Sequence, residues 1–217
     1  MLGVLGALAG RGGGIVRLAF VAGASAPGFL LGLGFIYVFY LKLGWLPASG
    51  ASSVADPPRG PTRVVFLDGL IAGRTDVATD ALKHFVLPAV ALALLPAVAI
   101  GRVLRSSLIE VYRSDYIRTA NAKGLEPRTI LWRHGLRNAL SAPLTMTGLQ
   151  LGLLLGGVVV IESVFAWPGI GLYTDQSIGS GDLAAITGVT LVVGAGYVLV
   201  NVLVDLTQAV ADPRIRL

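Results

Sequence analysis

Four long apolar runs divide the chain, at about residues 18–41, 85–104, 143–165 and 183–206. Each is close to the ~20 residues that a helix needs to cross the hydrocarbon of a bilayer. A backbone in lipid must satisfy its own hydrogen bonds, so each run is predicted to be a helix. Polar stretches lie between them: 42–83, 105–142 and 166–182. The stretch 42–83 is rich in Pro, Gly, Ser and Ala, and a short element is expected near Val64–Leu70. Met1–Ala9 is also apolar but too short to cross, and Arg11-Gly12-Gly13-Gly14 follows it. Residues 1–14 read as the remnant of a preceding transmembrane helix with its cytoplasmic turn, or as an unstructured leader. No basic region precedes the apolar stretch, so it does not read as a signal peptide. The fold class expected is all-α, a polytopic membrane protein with four complete transmembrane helices plus the tail of another.

Composition agrees with that pattern. Of 217 residues, 54% are hydrophobic and 13% charged, against about a quarter charged in soluble domains. Mean hydropathy is +0.77. There is no cysteine, which excludes disulfides and thiolate metal sites. The 29 glycines suit close helix contact in lipid. Net charge is +5, but no basic segment is interleaved with stacking aromatics, so nucleic acid is not an expected partner.

The basic residues orient the chain. Arg102, Arg105, Arg113, Arg118, Lys123, Arg128, Arg133 and Arg137 crowd residues 102–137, from the end of the second run toward the third. The stretch 166–182 has none, and the tail 211–217 holds Arg214 and Arg216. The positive-inside rule puts 105–142, both termini and hence the C-terminus in the cytoplasm.

The cytoplasmic stretch has the most internal order. Leu108, Tyr112, Tyr116 and Ala120 recur every four residues and predict one apolar helical face. Gly124 is a natural stop and Pro127 suits the first turn of a second helix, anchored by Ile130, Leu131, Leu136 and Leu140. From these residues alone, the helix pair is either an interfacial surface element or a device that engages another protein.

Tyr116-Ile117-Arg118-Thr119-Ala120-Asn121-Ala122-Lys123-Gly124-Leu125, with Arg133-His134-Gly135-Leu136-Arg137-Asn138-Ala139-Leu140, resembles the EAA loop of binding-protein-dependent ABC permeases. The dipeptide/oligopeptide/nickel branch is the nearest in pattern. Arg118-Thr119-Ala120 stands where the general motif has Glu-Ala-Ala, and Arg137 where many branches have Pro. Leu43–Gly50, His84–Ala89, Glu162–Gly171, Asn201–Leu206 and Asp212–Arg216 resemble further family segments. The family has six spans; the resemblance covers the last four and the tail of the second, which implies a truncation or a misplaced start.

The resemblance implies an ABC transmembrane type-1 domain at 15–210 with a cytoplasmic tail at 211–217. It implies a permease subunit of an ATP-driven importer, in the cell membrane and in contact with lipid. The expected partners are a homologous second permease, two ATP-binding subunits and an extracytoplasmic substrate-binding protein. No catalytic residue, metal or cofactor is expected; no P-loop motif occurs here, so ATP would be bound by the partner subunits. Tyr116, Arg118, Thr119, Ala120, Ala122, Lys123, Gly124, Leu125 and Leu136 would form the ATPase-coupling loop, with small Ala120, Ala122 and Gly124 allowing close docking.

Other residues are candidates for the translocation path or for helix contacts. Gly148, Gly152 and Gly156 form a small-xxx-small ridge, with Gln150 off it. Glu162 could attract a peptide's amino terminus or brace the turn at Trp167-Pro168-Gly169. Tyr197, Asn201 and Asp205 fall on one face, expected to meet protein or a watery cavity. Pro88 and Pro96 are expected kinks, and His84 is expected at the membrane interface. Two alternatives stay open: a truncated, non-transporting remnant, and an ATP-independent channel or secondary transporter.

Overall fold

A computed structural model describes residues 27–211, with side chains to residue 207. The start of the first predicted helix, the segment 1–14 and the tail 212–217 lie outside the described residues. All regular structure in the described part is helical. Helix α1 is α-helical at Gly28–Phe35 and π-helical at Ile36–Lys42. Then come α2 (Val65–Ile71), α3 (Thr75–Tyr112) and α4 (Asp115–Ala122). Helix α5 comprises residues 127–139: α-helical at Pro127–Thr129, π-helical at Ile130–Leu136 and α-helical again at Arg137–Ala139. Helices α6 (Ser141–Phe165), α7 (Ile170–Ser180) and α8 (Leu183–Ala211) complete the order.

Among the described residues, three helices are long and apolar enough to cross a membrane: α3, α6 and the Leu183–Thr207 part of α8. Helix α3 is longer than its apolar run. It begins at Thr75, so the stretch 42–83 is not a loop to its end, and it stops only at Tyr112. Hydropathy marks its oily centre, whereas hydrogen bonding continues through polar turns holding Asp76, Asp80, Arg102 and Arg105. The helix also runs unbroken through Pro88 and Pro96, which remove single ladder bonds without ending it.

The described chain divides into two compact units: residues 27–95 with Val160–Leu172, and Pro96–Val159 with residues 173–211. In the first, Leu87, Ala91, Ile161 and Phe165 are buried together, with Phe35, Phe39, Leu46, Val164 and Trp167 packed around them. The Phe165 carbonyl accepts the Gly50 N–H at 2.9 Å, which fastens the loop after α1 onto this cluster.

That loop is held by two carboxylates. Asp68, buried in the first turn of α2, accepts the Gly60 N–H (3.0 Å), the Thr62 N–H (3.2 Å) and the Thr62 hydroxyl (2.6 Å). Asp80 accepts the Ser52 hydroxyl at 2.7 Å and the Ser53 N–H at 2.6 Å. His84 is buried, 4% exposed. Its Nδ1 lies 2.9 Å from the Asp80 carbonyl, which can only accept, so Nδ1 carries the proton and Nε2 faces the Ser53 hydroxyl at 3.2 Å.

The hydrogen bond from the Thr62 hydroxyl holds the Asp68 carboxyl below its ordinary value; burial opposes this, and the Thr62 and Gly60 amides add to the lowering. A depressed carboxylate stabilises the fold above its unfolded value and loses that contribution as pH falls through its folded value. Protection of the Gly60 and Thr62 amides against hydrogen exchange is therefore expected to persist down to about pH 4 and to decline below it. Asp68→Asn should lower that protection at neutral pH, read by mass spectrometry against the intrinsic exchange rate. Equal protection in the variant would show that the carboxylate does not order the loop.

Candidate functional site

The second unit carries a helical hairpin made of α4 and α5. The break before α4 falls at Arg113-Ser114, so Leu108 to Ala120 is not one continuous helix. Ser114 adopts extended backbone ahead of α4, and its hydroxyl donates to the Val111 carbonyl at 2.5 Å, the end of α3. Asp115 follows in the first turn, where negative charge suits the helix dipole. This new start rotates the apolar face: Ile117 and Ala120 are buried, whereas Tyr112 and Tyr116 are exposed.

The turn after α4 is a Schellman motif. Lys123 caps the helix, the Gly124 N–H donates to the Asn121 carbonyl (2.9 Å) and the Leu125 N–H donates to Ala120 (3.3 Å). Gly124 sits at φ +72°, the left-handed region open to glycine, with nothing within 4 Å of where a Cβ would stand. Pro127 then occupies the first turn of α5, where its missing N–H has no partner to lose. Ile130 closes the pair by packing on Ile117 and Ala120, with Val111 beside them. Burial of Ile117 and Ile130 stabilises the hairpin by about 2 kcal/mol each.

The expected coupling residues therefore divide. Tyr116, Arg118, Thr119, Ala122, Lys123, Gly124 and Leu125 are exposed along α4 and the turn after it, and Leu136 is half-buried. Ala120 is 5% exposed and faces inward, so its small size serves the hairpin's own packing and not an outer surface. Arg118 lies 3.5 Å from Asp115, an exposed pair worth little, which leaves the guanidinium available to a partner. An open cleft of about 450 Å³ adjoins the hairpin, lined in part by Ser107, Glu110, Tyr116, Asn138 and Ser141. Ile117 and the Ser114 break are the features missed by the four-residue recurrence; Ser114 directly before Asp115 was the local signal for a helix start.

The glycine ridge of α6 also divides. A Cβ on Gly148 would stand 2.9 Å from Val204, and one on Gly152 would stand 2.6 Å from the Tyr197 ring, so both glycines lie against α8. Gly156 has nothing within 4 Å and makes no such contact. The Asn201 side-chain amide donates to the Tyr197 carbonyl of its own helix at 2.9 Å. Gln150 is half-buried in α6. Glu162 accepts the Leu172 N–H at 3.0 Å, and its carboxylate fills the space a Cβ on Gly169 would need. It thus caps the first turn of α7. Among the described residues no group of His, Cys, Asp and Glu could hold a metal ion.

Comparison with known proteins places these features in context. A family model described as binding-protein-dependent transport system inner membrane component matches residues 1–217. The chain is 43% identical over 196 residues to the dipeptide transport system permease protein DppB of Alkalihalophilus pseudofirmus, covering 90% of this chain and 59% of that protein. It is 41% identical over 196 residues to the di/tripeptide transport system permease protein DppB of Pseudomonas aeruginosa, covering 90% and 58%. It is 36% identical over 196 residues to the glutathione transport system permease protein GsiC of Pectobacterium atrosepticum, covering 90% and 55%. The chain thus spans less than two thirds of the length of the curated relatives it matches.

Proposed function

Because the chain belongs to the family of binding-protein-dependent transport system inner membrane components, we propose that it serves as a permease subunit of an ATP-driven importer of peptides or related small solutes. A second, homologous permease completes the path. Two ATPase subunits grip the pair from the cytoplasm, and a substrate-binding protein delivers cargo outside. The C-terminus lies in the cytoplasm. Relatives named for dipeptide, tripeptide and glutathione transport put small peptides first among the cargoes.

The observation that carries this reading is the α4–α5 hairpin. ATP-driven closure of cytosolic subunits must move membrane helices, and that requires a stiff handle. The hairpin has its own sealed core of Ile117, Ala120 and Ile130 and presents Tyr116, Arg118, Lys123 and Leu125 outward. Because α4 adjoins α3 at Ser114 and α5 adjoins α6 at Leu140, a push on the exposed turn reaches both membrane helices. Glu162 acts as a brace, Tyr197 and Asn201 as helix contacts, and Gln150 remains a candidate for the path. ATP binding belongs to the partner subunits.

The test is reconstitution of the complete complex in proteoliposomes with the binding protein outside and ATP inside. Labelled dipeptide should accumulate only with ATP and only when this subunit is present. Accumulation that ignores ATP would point to a channel or secondary transporter. No accumulation of any peptide, despite correct assembly, would point to a non-transporting remnant.

A further inference from the structure

We propose that α5 is also a binding surface for anionic phospholipid, with Arg128, Arg133 and Arg137 pairing with headgroup phosphates and Trp132 seated among the headgroups. The buried side of α5 is Ile130, Gly135 and Ala139, spaced five and then four residues apart. The i→i+5 bonding of Ile130–Leu136 makes that spacing one continuous side. Gly135 is close enough to Tyr112 that a Cβ would stand 3.1 Å from its ring. The same register leaves Arg128, Trp132, Arg133 and Arg137 exposed, with Trp132 64% exposed.

An exposed tryptophan flanked by arginines is poorly explained by water. Indole is favoured at membrane–water interfaces, where its apolar body and polar N–H are both satisfied. No acidic residue lies between Pro127 and Leu140. Among the described residues none of the three arginines forms an ion pair; the pairs found involve Arg74, His84 and Arg118. Helix α4 differs, since Arg118 has Asp115 beside it. The two arms therefore suit different surfaces, α4 a protein partner and α5 a negative layer.

Position names the occupant. Only Leu140 separates α5 from α6. If α6 crosses the bilayer from the cytoplasmic side, as the proposed function holds, α5 lies at headgroup depth. The cytoplasmic leaflet carries the anionic lipid that such a surface would meet.

The experiment places the photo-crosslinker benzoylphenylalanine at Trp132, or at Leu153 within α6 as a control, in the assembled complex. The complex is held in nanodiscs of equal parts phosphatidylcholine and phosphatidylglycerol, and adducts are identified by mass. The expected result at Trp132 is lipid adduct with phosphatidylglycerol favoured over phosphatidylcholine by about fivefold or more at low salt, the preference one arginine alone would give. The Arg128→Gln, Arg133→Gln, Arg137→Gln triple variant should bring the two lipids to parity. Protein adduct with an ATPase subunit, or parity in the wild type, would overturn the lipid surface while leaving the permease reading intact. Absence of lipid adduct at Leu153 would instead overturn the membrane-spanning reading of α6, and the lipid surface with it.

Discussion

Gly152→Leu is expected to drive α6 and α8 apart and to abolish uptake by the reconstituted complex. The Tyr197 ring already occupies the space a Cβ at residue 152 would need, at 2.6 Å. A larger side chain there must displace the half-exposed Tyr197 ring from its place between the helices. Overpacking of this kind typically costs about 1–3 kcal/mol or more. Gly156→Leu is the internal control, since nothing lies within 4 Å of that position. The measurement is the thermal midpoint of the solubilised complex together with uptake. Combining Gly152→Leu with Tyr197→Ala should recover much of the loss, because the pair then shares the space one ring filled. Equal midpoints for the Gly152 and Gly156 variants, or no recovery in the pair, would show that these helices do not meet at Gly152.

The second large effect is at the hairpin turn. Gly124→Val is expected to leave basal ATP hydrolysis in place while uptake falls to background. The φ of +72° costs an L-residue roughly 1–2 kcal/mol, and a β-branched one more. The Schellman bonds to Ala120 and Asn121 would yield first, loosening the one stiff turn offered to the motor. Gly124→Asn is the informative companion, because asparagine tolerates this conformation better than other side chains. Partial uptake with Asn and none with Val would assign the need for glycine to backbone shape. Failure of both would assign it to a partner seated directly over the turn. Wild-type uptake in both would remove the hairpin from the coupling path.

These two sites also show where a single sequence can be read and where it cannot. Gly124 and Pro127 announce a stop and a start because their constraints are local, a left-handed φ and a missing N–H. The apolar runs around Leu151 and Leu199 mark α6 and α8 for the same reason: bilayer length leaves a run of fixed size. What stayed hidden depended on partners distant in sequence. His84 reads as an isolated interfacial residue until Ser53 is brought to its ring. Asp68 gives no periodic signal, because its partners Gly60 and Thr62 sit in an irregular loop. Tyr112 and Tyr116 keep a helical rhythm across a break, so their spacing does not mark the hairpin core. Only the serine–aspartate pair at 114–115 marked that break, and Ile117 took the buried place. Within the glycine ridge, all three positions look alike in sequence, and only the Tyr197 and Val204 side chains distinguish Gly148 and Gly152 from Gly156.

The π-helical stretch at Ile130–Leu136 has a bearing on descent. Such a stretch is an ordinary helix that has accepted one surplus residue, and the surplus is absorbed within seven positions. Losing one residue within the stretch would tighten it to i→i+4 bonding and leave Ile130 and Gly135 on the same side, whereas a loss elsewhere in the arm would swing everything beyond it by about 100°. A lineage can therefore keep or shed the surplus residue at 130–136 without redrawing the arm. Within the arm, single-residue gaps among relatives should gather at residues 130–136 and avoid the regular turns on either side.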